Sequence, residues 1–114
     1  MGTLPTMPAL DLLQGTLDLL VLRTIASGPM HGYAVSRLIK ERSKSVFLVE
    51  EGALYPALHR LERKGLIESE WGLSENNRKA KFYQLTSLGR AGLKSELAEW
   101  QRYTKAVAGV LQPN

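Results

Sequence analysis

The chain has 114 residues, of which 44% are hydrophobic and 23% charged, with a formal net charge of +4. That composition suits one small domain with a real core and excludes a disordered chain. The lack of cysteine excludes disulfides and thiolate metal sites, no apolar run reaches the roughly 20 residues of a membrane span, and the positive charge is compatible with a polyanionic partner without requiring one.

Residues 1–10, with Pro5 and Pro8, read as a loose leader. They lack the basic start and apolar run of a signal peptide, so a cytoplasmic location is expected. A first helix is predicted over 11–26, with Leu13, Leu17, Leu20, Val21 and Ile25 on one face. Ser27-Gly28-Pro29 stops it. A second helix is predicted over 32–41, with Tyr33 or Ala34, Leu38 and Ile39 inward. Arg37, Lys40, Arg42 and Lys44 lie on it or just beyond.

A loop over 43–49 leads into a third helix over 51–64, where Leu54, Leu58 and Leu61 give the inner face. Pro56 removes a backbone donor and should kink or tighten the early turns. Gly65 is a natural terminator. Alternation through Ile67-Glu68-Ser69-Glu70-Trp71 predicts a half-exposed strand. Residues 81–85 pair back across a loop of about nine residues whose tip is Asn76-Asn77-Arg78-Lys79, long for a hairpin.

The last helix is predicted to open at Thr86, a good N-cap, and to run to 111, before Pro113. Leu93, Leu97, Trp100, Thr104, Val107 and Leu111 alternate at spacings of four and three, an a/d seam. No partner for that seam remains in the chain. A second copy is expected, with Leu93, Leu97, Trp100, Val107 and Leu111 as dimerisation contacts and the first helices also pairing. The expected fold class is mainly α with a small β-hairpin: a winged helix-turn-helix over 11–85 and a long C-terminal dimerisation helix over 86–112.

A compact helix followed by a hairpin with a basic, amide-rich tip is how a winged helix meets duplex DNA. The DNA-facing candidates are Tyr33 and Arg37 on the second helix, Ala53, Tyr55, His59 and Arg60 on the third, and Arg78, Lys79 and Lys81 in the wing. Tyr55 suits a phosphate or sugar, Arg60 a phosphate or a guanine edge. Each wing cation that meets a phosphate releases counterion. The plainer alternative is a solvated helix face, on which Arg63 would also lie, and a solubilising loop.

Other groups carry less. Glu50-Glu51, Glu68 and Glu70 lack convergent histidines, which favours structural roles over acid–base or metal chemistry. His31 and His59 lack ligand spacing, so no metal is expected, and His31 reads as a helix-start hydrogen bonder. Trp100 suits packing, or a flat effector held between two symmetry-related rings beside Leu97 and Thr104. No nucleophile has a recognisable base and no glycine-rich phosphate loop occurs. Neither an enzyme nor a cofactor is expected. Two further classes stay open: a protein-interaction module built on the winged fold, and a dimer that sequesters a small molecule.

Gly15-Thr16-Leu17-Asp18-Leu19-Leu20-Val21-Leu22 and Gly28-Pro29-Met30-His31-Gly32-Tyr33 resemble the opening of PadR-like transcription regulators. So do the run from Glu51 through Leu54-Tyr55-Pro56 to Glu62, Lys64-Gly65-Leu66-Ile67, and the stretch from Arg78 to Gly89. These blocks stand in the family's order and cover residues 12–111. The resemblance implies a winged helix-turn-helix, a C-terminal homodimerisation helix and, in most members, repression from palindromic operators. Many members release DNA on binding a small aromatic or hydrophobic effector. The short C-terminus is similar to the compact subgroup with a single dimerisation helix. Tyr55 matches the family's DNA-facing tyrosine, and Arg78, Lys79 and Lys81 its basic wing. Trp100 matches the stacking aromatic of some multidrug-responsive members. Ala53 and Glu50 depart from the hydroxyl residues many members carry there, which leaves operator sequence and affinity open.

Overall fold

The computed structural model describes residues 12–113. The predicted leader and the predicted helix start at Asp11 lie outside them. Among the described residues run four helices, α1 (Gln14–Ile25), α2 (Gly32–Arg42), α3 (Glu51–Arg63) and α4 (Ser87–Leu111). Three strands, β1 (Met30–His31), β2 (Ile67–Leu73) and β3 (Lys79–Leu85), form an antiparallel sheet in the order β1-β3-β2. This is a winged helix with a long C-terminal helix, as predicted.

α1 is the hub and packs against α2, α3, α4 and β3. Its buried stripe is Leu17, Val21, Leu22 and Ile25, one apolar face at helical spacing. Leu13 departs from the prediction: it precedes the first turn in extended conformation and is exposed. Leu20 is half-buried, and Leu22 and Thr24 take the inner places instead. The Thr24 hydroxyl donates to the Leu20 carbonyl at 2.7 Å, which removes the penalty for burying it.

In α2 the inward pair is Val35 and Ile39, with Ala34 and Leu38 half-buried and Tyr33 exposed. In α3 the predicted leucines Leu54, Leu58 and Leu61 are buried together with Ala57. Pro56 lies on the exposed side, where its missing N–H leaves the Gly52 carbonyl without its helical donor. Gly65 ends the helix at φ +74°, a conformation that favours glycine, and the Leu66 N–H then closes onto the Leu61 carbonyl at 3.0 Å.

The hairpin is longer than the alternation predicted. The ladder runs from Ile67↔Leu85 through Trp71↔Lys81 to Leu73↔Lys79, leaving only residues 74–78 as the turn. Gly72-Leu73 interrupts the alternating pattern without interrupting the pairing. A Cβ on Gly72 would come within 3.1 Å of the Phe82 ring, so the glycine makes room for it. The turn closes on Ser74, whose N–H donates to Arg78 at 2.8 Å and whose carbonyl accepts from Asn77 at 2.9 Å. Asn77 takes φ +57°, which asparagine tolerates. β1 was not predicted at all; two residues carry no periodicity, and it exists by pairing Met30 with Tyr83 and His31 with Phe82.

Tyr83, 5% exposed, shows what this sheet does to an ionisable group. Burial holds its phenol above the ordinary value of 10, with the Glu62 carboxylate and Tyr55 adding to the shift. The unfolded chain therefore releases this proton first, and folding stability should fall as pH rises from 10 toward the folded value. Alkaline difference absorbance of the parent and Tyr83→Phe checks this. A missing step at the ordinary phenol value in Tyr83→Phe would contradict it.

Thr86 ties α4 to the corner between α3 and β2. Its N–H donates to the Leu66 carbonyl at 3.1 Å, its hydroxyl to the Gly65 carbonyl at 2.6 Å, and its Oγ1 accepts the Gly89 N–H at 2.9 Å. It is the predicted N-cap. Gly89 lies against the Leu66 carbonyl, where an added Cβ would sit 1.9 Å from the oxygen. Of the a/d seam, Leu93 is buried in the chain's own core and Leu97 packs partly against it. From residue 98 to 113 every α4 position is exposed or lies in the exposed tail. No helix among the described residues is long and apolar enough to cross a membrane.

Candidate nucleic-acid interface

The interface begins with how α2 starts. His31 is in extended conformation and its Nδ1 accepts the Ala34 N–H at 3.3 Å, the hydrogen-bonding role expected for it. Its ring meets Phe82 edge-on at 5.5 Å, which fixes the imidazole between the helix and the sheet. The Tyr55 ring lies over Gly32: a Cβ there would come within 3.1 Å of the Tyr55 Oη. The absence of a side chain at Gly32 thus sets where the Tyr55 hydroxyl points.

β2 and β3 supply the other wall. Side chains alternate across a strand. With Trp71 opposite Lys81, one sheet face carries Ile67, Ser69, Trp71 and Leu73 of β2 beside Lys79, Lys81, Tyr83 and Leu85 of β3. Its root half, Ile67, Tyr83 and Leu85, belongs to the core. Its outer half emerges past α3 and faces a cleft of about 690 Å³. The opposite face bears Glu68 and Glu70, with Gln84 Nε2 donating to Glu68 at 2.9 Å. The wing is therefore cationic toward the cleft and acidic away from it.

Of the predicted DNA-facing residues, Tyr33, Arg37, Tyr55, His59, Lys79 and Lys81 all line this cleft. Arg37 also approaches Glu41 at 4.0 Å, an exposed pair of little energetic weight. Arg78 sits in the turn and is exposed, outside the cleft. Ala53 is exposed on α3 but borders a different groove, beside Leu48, Val49 and Glu50. Trp71 and His31 line the cleft without having been predicted there. Pairing residues 67–71 with 81–85 already sets Trp71 opposite Lys81; the longer ladder adds Lys79 to the same face.

Arg60 has another occupation. Its Nε donates to Asp18 Oδ2 at 3.0 Å and its Nη2 to Oδ1 at 2.7 Å, a two-pronged pair joining α3 to α1. The hydrogen bond to Asp18 raises the guanidinium pKa against the opposing effect of burial. Both side chains are largely shielded, at 19% and 14% exposure, so the pair clamps α3 to the hub and is turned away from the cleft. Asp18→Asn keeps the shape and removes the charge. It is expected to lower stability by about 1–3 kcal/mol, since it leaves a shielded guanidinium short of its partner. A denaturant melt at fixed protein concentration measures this, and an unchanged midpoint would rule out the clamp.

On α4, Trp100 is 38% exposed and stacks on Tyr103 with ring centres 6.0 Å apart. The Thr104 hydroxyl donates to its own helix, to the Trp100 and Gln101 carbonyls at 3.0 and 3.3 Å. Leu97 borders a shallow groove with Leu85 and Leu93. Trp100 and Thr104 do not line that groove.

Comparison with known proteins gives consistent findings. The sequence profile of the transcriptional regulator PadR-like family matches residues 21–95. An uncharacterized protein of Lysinibacillus sphaericus is 38% identical over 90 residues, 79% of this chain and 83% of that protein. A transcriptional regulator of Mycobacterium tuberculosis is 34% identical over 89 residues, 78% of this chain and 79% of that one. Among solved structures, a PadR-like transcriptional regulator from Bacillus cereus has a TM-score of 0.76 at 28% identity, covering 89% of this chain and 96% of the other. A transcriptional regulator from Clostridium thermocellum has a TM-score of 0.78 at 27% identity, covering 87% and 93%.

Proposed function

The chain belongs to the PadR-like family of transcriptional regulators, which bind DNA and are not enzymes, and from that premise we propose that it is a homodimeric repressor working from palindromic operators. The observation that carries the DNA contact in this reading is the cleft between α3 and the wing, where Tyr55, His59, Lys79 and Lys81 converge on one face. Cations on one side of the wing and carboxylates on the other give the domain a single orientation toward a polyanion.

In the proposed complex residues 11–85 are the DNA-binding unit and residues 86–112 the dimerisation helix. α3 enters the major groove, Tyr33, Arg37, Ala53, Tyr55 and His59 contact the strand or base edges, and Arg78, Lys79 and Lys81 anchor the wing on phosphate. Arg60 acts at one remove, by holding α3 on α1. The exposed outer half of α4 supports dimerisation through Trp100, Val107 and Leu111, with Leu97 at its margin. Leu93, being in the protomer's own core, is left out of that seam. Two-fold symmetry would then set the α3 helices about one DNA turn apart. A small hydrophobic or aromatic effector is assigned to the dimer seam around Trp100, with Leu97 and Thr104 beside it. It would act by favouring one separation of the wings over another. The setting is cytoplasmic, where the DNA is.

The test is fluorescence anisotropy with duplex DNA from upstream of the protein's own gene. A scrambled duplex is the control, at low and near-physiological salt. A complex specific for the first duplex, surviving the higher salt at one dimer per site, is the expected result. Equal weak binding to both, vanishing with salt, would reduce the contact to counterion release and refute an operator there.

A further inference from the structure

Trp71 has so far been given no role, yet it is 63% exposed on a strand whose own register aims it into the cleft. A structural tryptophan would be covered by its protomer. This one stands on the outer half of the sheet face, beyond the core residues Tyr83 and Leu85. The Lys79 ammonium lies over its ring, 5.4 Å from the centroid. The indole and a cation therefore form one unit, an apolar plate carrying a positive charge.

What fits such a unit is set by its surroundings. Arg37, Lys79 and Lys81 line the same cleft against one carboxylate, Glu75. That charge balance disfavours an apolar protein partner and suits a strand that alternates phosphate with apolar sugar. We propose that Trp71 is a DNA-contact residue whose indole packs against the deoxyribose edge of the backbone strand entering the cleft, while Lys79 and Lys81 take its flanking phosphates. The inference rests on the DNA-binding role of this cleft and adds a component that charge alone does not supply. Phosphate contacts weaken steeply with salt and let a protein slide. An apolar contact of fixed depth does neither.

The test uses the full chain carrying 5-fluorotryptophan, which gives one fluorine resonance for Trp71 and one for Trp100. The Trp71 resonance is the one missing from Trp71→Phe. Titration with the duplex that forms the specific complex should move the Trp71 resonance and remove most of its water–deuterium oxide isotope shift. Trp71→Ala should weaken that complex about tenfold with its salt slope intact. Lys79→Ala should lower the slope by about 0.9 for each phosphate left unneutralised. Trp71→Phe should retain most of the affinity.

An unmoved Trp71 resonance in a saturated complex overturns the contact and leaves DNA binding standing. So does parental affinity in Trp71→Ala. Should Trp71→Ala not fold, the resonance and isotope shift of the unsubstituted chain decide. Failure to form any specific complex overturns both proposals, and anisotropy of a labelled duplex in the same samples separates that outcome from the first.

Discussion

Replacing Gly89 with alanine is expected to lower folding stability by about 3 kcal/mol, at the upper end of what overpacking costs. The reason is backbone against backbone. The added Cβ would stand 1.9 Å from the Leu66 carbonyl oxygen and 2.9 Å from its carbon. That carbonyl cannot swing away without releasing the Thr86 N–H that it accepts, and Thr86 in turn caps α4 through the Gly89 N–H. Relief of the clash therefore breaks the cap or pushes α4 off the corner where Gly89 and Leu93 are buried. For a domain of this size the melting temperature should drop by about 10 °C or more. Gly92→Ala is the control. Its Cβ would be 3.4 Å from the flexible end of Leu66, and alanine is the better helix former, so it should melt at or slightly above the parent. Equal melting of Gly89→Ala and the parent, at one protein concentration, would disprove the tight corner.

Alanine at Arg78, Lys79 and Lys81 together should abolish operator binding at near-physiological salt, a loss of at least about a hundredfold, while leaving the fold and the dimer intact. All three side chains lie on the outer wing, beyond the core residues Tyr83 and Leu85. The slope of log affinity against log salt should shrink by about 0.9 for each phosphate that the wing no longer neutralises. Anisotropy titrations over a salt series give the slope, and sedimentation velocity gives the oligomeric state. Parental affinity in the triple variant would move the electrostatic contact off the wing. A chain that never bound DNA specifically but kept its protein partners would favour the interaction-module alternative.

How far the sequence carried depended on how local each signal was. α3 was legible almost to the residue, because Leu54, Leu58 and Leu61 mark one face and Gly65 marks the stop within a single turn, whereas α2 was legible in its bounds but not wholly in its inner face, which is Val35 and Ile39. Thr86 announced α4 in the same way, through a capping hydroxyl three residues before Gly89. The hidden parts were those set by distant residues. β1 owes its existence to Tyr83 and Phe82, some fifty residues downstream. The last rungs of the hairpin, Gly72↔Ala80 and Leu73↔Lys79, use small or unpatterned residues that carry no alternation. The Asp18–Arg60 clamp spans 42 residues, and nothing near either residue signals it. Within the candidate site, Tyr33, Arg37, Tyr55, His59 and the wing lysines were legible from type and spacing, while Ala53 and Arg60 lie outside the cleft. Trp71 was not legible, because an indole on a strand carries no charge to mark it as DNA-facing.

The clamp on Arg60 has a consequence for how an operator could be told from other DNA. With that guanidinium held by Asp18, the open side of α3 offers Gly52, Ala53, Tyr55 and His59, and the one free fork, Arg63, stands on its last turn. Two-pronged donors are what distinguish guanine from the other bases at a groove edge. A helix so short of them can name few letters. In the proposed complex, discrimination passes to the double helix itself: its groove width, its flexible pyrimidine–purine steps, and the energy needed to bend it until both wings are seated.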